Sequence, residues 1–183
     1  PVQSGSDRQL TAMRRGYDLA TYRRLVDDLR AAIPDVALTT DIIVGFCGET
    51  DADFERTCAL MREIRFDSAF TFKYSERSGT YAGKNMPDDV PEAVKGERLQ
   101  QVIELQERIS LEINQERIGR TETVLVEGPS RRQNGETRTM FGRSPQGKTV
   151  LFPQPAAPNS IVDVTVRSTT SHSLFGNCIA PRT

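Results

Sequence analysis

The chain has 183 residues, 37% of them hydrophobic and 27% charged, with a formal net charge of −1. This composition suits one or two soluble domains with long, partly exposed helices, and no apolar run is long enough to span a bilayer. Three cysteines without a CxxC pair, and the single histidine His172, argue against a disulfide framework or a complete metal site within the chain and favour a reducing, cytoplasmic setting.

The chain starts at Pro1 without a methionine and reads as part of a longer protein. Pro1–Ser6, PVQSGS, looks like a strand end entering a polar loop, where Gln3 and Ser4 offer hydrogen bonds. Ser6 is placed to cap a short helix running through Arg15. The spacing of Leu19, Tyr22, Leu25, Val26 and Leu29 predicts a helix over Leu19–Ile33, capped by Asp18 and stopped by Pro34. Its Arg23, Arg24 and Arg30 fall on the solvated side.

Val36–Val44 predicts a buried strand that ends in a glycine loop, TTDIIVGFCGET. Gly45 and Gly48 permit a tight turn or a close backbone approach, and Thr50 caps the next helix, Asp51–Ile64. Phe54, Cys58, Met61 and Ile64 share one face of that helix, so Cys58 is a core residue. Cys47 sits in the loop without a histidine or cysteine neighbour to activate it, and a passive role is expected. Strand, glycine loop and helix make one unit of an α/β fold, where ligands gather at the C-terminal ends of strands.

Ser68–Tyr74 alternates as a strand should and leads into the loop SERSGTYAGK. Arg77 and Lys84 there are suited to a phosphate or carboxylate. Pro91 opens a long helix over Glu92–Ile118 that Gly119 ends. That glycine marks the expected boundary between domains at 1–119 and 120–183.

Beyond Thr121 five short strands are expected: one from Thr121, then Thr137–Gly142, Lys148–Phe152, Ile161–Ser168 and Leu174–Ile179. Turns rich in Gly, Pro and Asn separate them. The pattern predicts a small antiparallel barrel of the OB type. Residues 121–183 carry seven Lys/Arg against four Asp/Glu, so this module is basic on an acidic body and suits an anionic partner. Arg131, Arg132, Arg138, Arg143 and Lys148 are the candidate phosphate contacts, and an exposed Phe141 is a candidate for stacking on a base.

Taken together, PVQSGSDRQLTAMRRGY, TTDIIVGFCGET, FDSAFTFKYSERSGT and VRSTTSHSLFG resemble the radical S-adenosylmethionine (SAM) methylthiotransferases, in family order and over essentially the whole chain. The similarity is greatest to the tRNA branch. This resemblance implies an α/β fold: the C-terminal part of an open (β/α) radical SAM barrel, followed by a TRAM domain that binds RNA. It implies that PVQSGS, DIIVGF and FTFKYS are the ends of the fourth, fifth and sixth barrel strands. Ile43, Gly45 and Glu49 are then cofactor-side positions, with Gln3, Ser4, Tyr74 and Ser75 at equivalent strand ends.

The implied cofactors are S-adenosylmethionine and two [4Fe–4S] clusters. The implied partner is the anticodon stem-loop of tRNA, methylthiolated at C2 of an isopentenylated adenosine. A sister branch of the family modifies an aspartate of a ribosomal protein, and a non-catalytic RNA-binding module is a third reading. The basic end module favours tRNA.

Two departures stand out. Cys47 replaces the family's usual proline, and Glu76 and Ser78 stand where the following loop usually has prolines. The family's cluster-binding cysteine motifs are absent from this chain, so the chain alone is expected to hold no cluster and to perform no catalysis. A half barrel is also expected to leave an open sheet edge and an uncovered apolar face.

Overall fold

The computed structural model describes residues 1–130 and 139–181. The chain forms two compact units, Pro1–Ile109 and Ser110–Thr183, and the division falls inside the long helix Glu92–Gln115 (α5). No helix among the described residues is long and apolar enough to cross a membrane.

The first unit runs α1 (Asp7–Ala12), α2 (Leu19–Ala32), β1 (Thr39–Val44), α3 (Asp51–Ile64), β2 (Ser68–Lys73) and α4 (Tyr81–Asn85) into α5. β1 and β2 pair in parallel, with Thr39 opposite Ser68 and Val44 opposite Lys73. Gln3 adds a parallel bridge to Ile42 on the other side of β1. Parallel neighbours need crossovers, and the helices supply them.

The pleat turns Ile42 and Val44 into the core, both 0% exposed, together with Val2, Leu10, Met61, Phe66 and Val102. The opposite face is open, and Phe70 on it is 68% exposed.

Local chemistry explains the helix starts. The Asp18 side chain accepts from the Thr21 amide at 2.7 Å. Thr50 and Asp53 form a reciprocal capping box at the start of α3. Ser6, expected to cap α1, makes no side-chain cap and instead donates to Asp53 Oδ1 at 2.6 Å, because a buried carboxylate is the stronger acceptor. The loop after β2 contains a helix the sequence pattern missed, α4, capped by Thr80 accepting from the Gly83 amide at 3.1 Å. Leu25, expected on the apolar face of α2, is 54% exposed.

The second unit holds β3 (Thr121–Pro129), β4 (Met140–Arg143), β5 (Thr149–Phe152), β6 (Ile161–Thr169) and β7 (Ser173–Pro181). They close into a barrel in the order β3-β4-β5-β7-β6, with β6 returning to β3. Alternating residues fill it: Val124, Val126, Met140, Val150, Phe152, Val162, Val164, Val166 and Leu174. The barrel is not antiparallel throughout, because β5 and β7 run parallel. Five strands cannot alternate direction around a closed ring, so one neighbouring pair must run the same way.

Gly142 and Gly176 let strands approach closely. A Cβ on Gly142 would lie 2.2 Å from the Leu125 carbonyl, and one on Gly176 2.2 Å from that of Thr165. The start of the strand expected over Thr137–Gly142 lies outside the described residues, and β4 is described from Met140.

Candidate functional site

The C-terminal ends of the three parallel segments in the first unit border a cavity of about 480 Å³, within the size range of small-molecule sites. Gln3, Asp41, Ile43 and Phe72 come from the open face of the sheet. Phe46, Tyr74 and Ser75 come from the loops above it, and Arg14, Arg15, Arg77 and Tyr81 from the rim.

Gln3 has φ of 68°, an uncommon left-handed conformation for a non-glycine residue. Its amide donates to the Asp41 carbonyl at 2.9 Å, and its own carbonyl accepts from the Ile43 amide at 2.9 Å. Two backbone bonds thus hold the strained residue at the sheet edge.

Tyr74 continues β2, its amide donating to the Val44 carbonyl at 2.8 Å. Its ring packs edge-on against Phe46, with centroids 4.9 Å apart. Lys95 Nζ lies 5.4 Å from the ring centroid. Burial, with the Cys47 thiol beside the hydroxyl, pushes the Tyr74 phenol up to about 12. Cys47 is 2% exposed, so the loop does not present its thiol to solvent.

Four of the seven expected cofactor-side residues line the cavity: Gln3, Ile43, Tyr74 and Ser75. Ser4, Gly45 and Glu49 are not among the lining residues; all three are buried and hold the wall from behind. Ser4 Oγ lies 3.4 Å from Thr57 Oγ1 on α3. Gly45 has φ of +70°, and a Cβ there would meet Lys95 Cγ at 2.4 Å. Its amide donates to Glu49 Oε1 at 2.7 Å.

The same Glu49 oxygen accepts from Arg98 Nη1 at 2.8 Å, and Arg98 Nη2 donates to Asp51 Oδ1 at 2.6 Å. Burial raises the Glu49 carboxyl above its usual range, against the pull of the Gly45 amide and Arg98.

Asp41, Phe72, Arg14, Arg15 and Tyr81 were not singled out from the sequence. Arg14 lies over the Tyr81 ring, 3.3 Å from its centroid. The period-two alternation of β1 was the available signal for Asp41, since it shares a face with Ile43.

Among the described residues no group of three or more His, Cys, Asp or Glu is placed to hold a metal ion. Cys47 and Cys58 are buried, Cys178 is half-buried, and none of the three is in a disulfide. The donor set present here therefore does not fit an iron–sulfur cluster. The cavity does suit a nucleoside-sized ligand, with its aromatic wall, polar strand ends and cationic rim.

On the barrel, Arg143 is exposed, with Nε 3.3 Å from Glu127 Oε1 and Nη1 donating to the Gly147 carbonyl at 3.1 Å. Lys148 is half-buried. Phe141 is half-buried rather than exposed, because it stands in a cross-strand row opposite Leu151, which in turn faces Phe175. Arg131, Arg132 and Arg138 lie outside the described residues.

Residues 1–61 match the radical SAM superfamily, and residues 115–179 match the TRAM domain. The chain is 49% identical over 177 residues to the tRNA-2-methylthio-N(6)-dimethylallyladenosine synthase of Chlorobium limicola, an alignment covering 96% of this chain and 39% of that protein. To the protein of the same name from Porphyromonas gingivalis it is 46% identical over 180 residues, covering 98% and 38%. To that of Mycolicibacterium smegmatis it is 47% identical over 180 residues, covering 97% and 35%. The chain thus spans little more than a third of the length of these curated relatives. With a radical SAM segment, a TRAM domain in that order, and this identity along nearly its whole length, the chain belongs to the radical SAM methylthiotransferase family.

Proposed function

We propose that the protein carrying this chain adds a methylthio group to C2 of isopentenylated adenosine next to the anticodon of tRNA, by radical SAM chemistry, in the cytoplasm. The observation that carries this reading is identity of 46–49% over 96–98% of the chain, through both compact units, to proteins named for that product. The basic balance of residues 121–183 supports an RNA partner for the barrel.

In this reading Gln3, Ile43, Tyr74 and Ser75 form the wall against the adenosyl part of S-adenosylmethionine. Bound there, the cofactor supplies radical hydrogen abstraction, and the protein supplies orientation. The Phe46–Tyr74 pair excludes water from one side of the wall. Ser4, Gly45 and Glu49 fix the backbone turns that shape it. The ligands of the two [4Fe–4S] clusters lie outside the described residues, and no step is assigned to them through this chain.

Arg143 and Lys148, with Arg131, Arg132 and Arg138, grip the phosphates of the anticodon stem-loop, and Phe141 offers an apolar contact to a base. The target base leaves its stack to reach the cavity.

The test is direct. The complete protein, reconstituted with iron and sulfide and supplied with reductant and S-adenosylmethionine, is given isopentenylated tRNA, and the nucleosides are resolved by mass spectrometry. The 2-methylthio nucleoside is expected. Product on a ribosomal-protein aspartate alone, or RNA binding without any turnover, would overturn the proposal.

A further inference from the structure

The link from α4 into α5 carries three carboxylates in five residues, Asp88, Asp89 and Glu92. By composition such a run is a solvated acidic turn, but here each carboxylate has a partner, and the partners lead to the strand ends that border the cavity. Asp89 Oδ1 accepts from the Gly48 amide at 2.6 Å, in the loop that follows β1. Asp88 takes the Lys95 ammonium on both oxygens at 2.6 Å. Glu92 pairs with Lys73, the last residue of β2. Val90 is buried in the middle of this link and pins it to the body of the unit.

Lys95 carries the connection inward. Its side chain is 3% exposed, and Asp88 compensates the burial of its charge. The stem crosses Gly45 so closely that a Cβ there would meet Lys95 Cγ at 2.4 Å. The ammonium lies 5.4 Å from the centroid of the Tyr74 ring, within cation–π reach. One side chain thus meets both the turn after β1 and the residue after β2. Gly48, with φ of +70°, is held at both its polar groups: Arg8 Nη2 donates to its carbonyl at 2.6 Å, and Asp89 accepts from its amide. Phe46, whose ring meets that of Tyr74 edge-on, stands between these two fastened glycines.

We propose that Asp88, Asp89 and Lys95 are positioning residues for the cofactor-side wall: they tie the loop after β1 to Tyr74 and hold the Phe46–Tyr74 pair in the geometry that S-adenosylmethionine meets. The assignment rests on the functional reading above and deepens it. None of the three is among the residues that line the cavity, so each acts through those that do. An apolar side chain would fill the space beneath Gly45 at lower cost than a buried ion pair. What the ammonium adds is direction, because its charge is satisfied only where Asp88 stands, and the stem is thereby held across the turn. The Asp89 carboxylate does the same for Gly48, since a hydrogen bond to an ionised acceptor is short and strong.

The experiment uses the complete protein, reconstituted with iron and sulfide, and reads binding. S-adenosylmethionine is titrated by calorimetry, an isopentenylated anticodon stem-loop by fluorescence anisotropy, and melting temperatures are recorded alongside. Asp89→Ala and Lys95→Met are each expected to weaken the cofactor about tenfold while leaving the RNA within about twofold. Asp89→Asn keeps an oxygen for the Gly48 amide and is expected to recover most of the lost affinity. Lys95→Met keeps an apolar stem beneath Gly45, and Asp88 remains within reach of water, so an unchanged or higher melting temperature is expected. Tyr74→Leu removes the wall residue itself and is expected to weaken the cofactor as well. Adding Asp89→Ala to Tyr74→Leu is then expected to cost no further affinity, because both substitutions act on one contact.

If the wild-type protein binds no S-adenosylmethionine, or Tyr74→Leu leaves its affinity unchanged, the reading of the cavity wall and this proposal both fall. If Tyr74→Leu weakens the cofactor while Asp89→Ala and Lys95→Met do not, this proposal alone falls. Additive losses in the double variant, or equal loss of cofactor and RNA affinity in the single ones, would also overturn it, leaving the three residues a role in folding only.

Discussion

Arg98 on α5 and Glu49 in the loop after β1 form a buried ion pair, with Arg98 Nη1 2.8 Å from Glu49 Oε1 and side chains 7% and 1% exposed. The Gly45 amide donates to the same oxygen, so a residue on the long helix fixes the turn at the end of the central strand. Arg98→Met leaves a buried carboxylate without its cation and should cost about 3 kcal/mol at neutral pH. Burial already raises the Glu49 carboxyl, so its contribution to stability is present at low pH and lost as pH rises through its folded-state value. Removing Arg98 raises that value further. Urea denaturation should therefore show a larger deficit, relative to wild type, at pH 8 than at pH 5.

Asp53 behaves in the opposite sense. Burial pushes its carboxyl up, but Arg8, Ser6 and Thr50 together hold it well below the usual carboxylate range. A lowered value means stability present above the ordinary aspartate range and lost as pH falls through it. Asp53→Asn should cost about 2 kcal/mol at pH 7, since it weakens hydrogen bonds to a buried charge. The deficit should shrink toward pH 3, as measured by denaturant titrations across that range. Arg8 is half exposed, so most of the loss should come from Ser6 and Thr50.

Gly45 and Gly119 both have positive φ, +70° and +85°, yet only Gly45 is crowded. Gly119→Ala should cost about 1 kcal/mol through backbone conformation alone. Gly45→Ala adds a collision with the buried stem of Lys95 and should cost about 2 kcal/mol or more. Thermal denaturation of the two variants separates the steric part from the conformational part. In the complete protein the Gly45 variant should lose S-adenosylmethionine affinity before it loses RNA affinity; equal loss of both would mean that the glycine serves folding only.

The barrel's role as the RNA grip has a salt signature. Removing charge at Arg138 and Arg143 together should weaken tRNA binding and reduce the slope of log affinity against log salt by about 1 to 2 units. Arg143 is already shared with Glu127, which places its share at the low end. Unchanged affinity across the titration would count against this surface as the grip.

Much of this architecture was legible in the residues. α3 follows the expected Asp51–Ile64, because Thr50 and Asp53 write its start chemically and the apolar spacing writes its face. The barrel strands were visible because alternation marks each one and a turn rich in Gly, Pro, Asn, Ser or Thr follows it. Their closure was not visible, since which edges meet is decided by packing far apart in sequence, and the parallel β5–β7 pair follows only from that closure.

At the candidate site the strand ends were identifiable, but the division of labour was not. Glu49, a cofactor-side position by resemblance, is buried and bonded to the Gly45 amide and Arg98 behind the cavity wall, whereas Asp41, not singled out from the sequence, lines the cavity. Strand alternation was the one local signal for Asp41, whereas the bonds of Glu49 to Arg98 on a distant helix and to the Gly45 amide come from tertiary packing.

In the ring of the second unit, β7 lies between β5 and β6, although it is the last of the five strands in the sequence. Both of its seams stay unmade until Ser173–Pro181 has left the ribosome. A nascent chain halted before that point holds four strands with two raw edges and no closed interior, a form prone to pairing with other chains. Completion of this unit is therefore timed by translation itself: the barrel stays open through most of its synthesis and shuts only when its last strand is released.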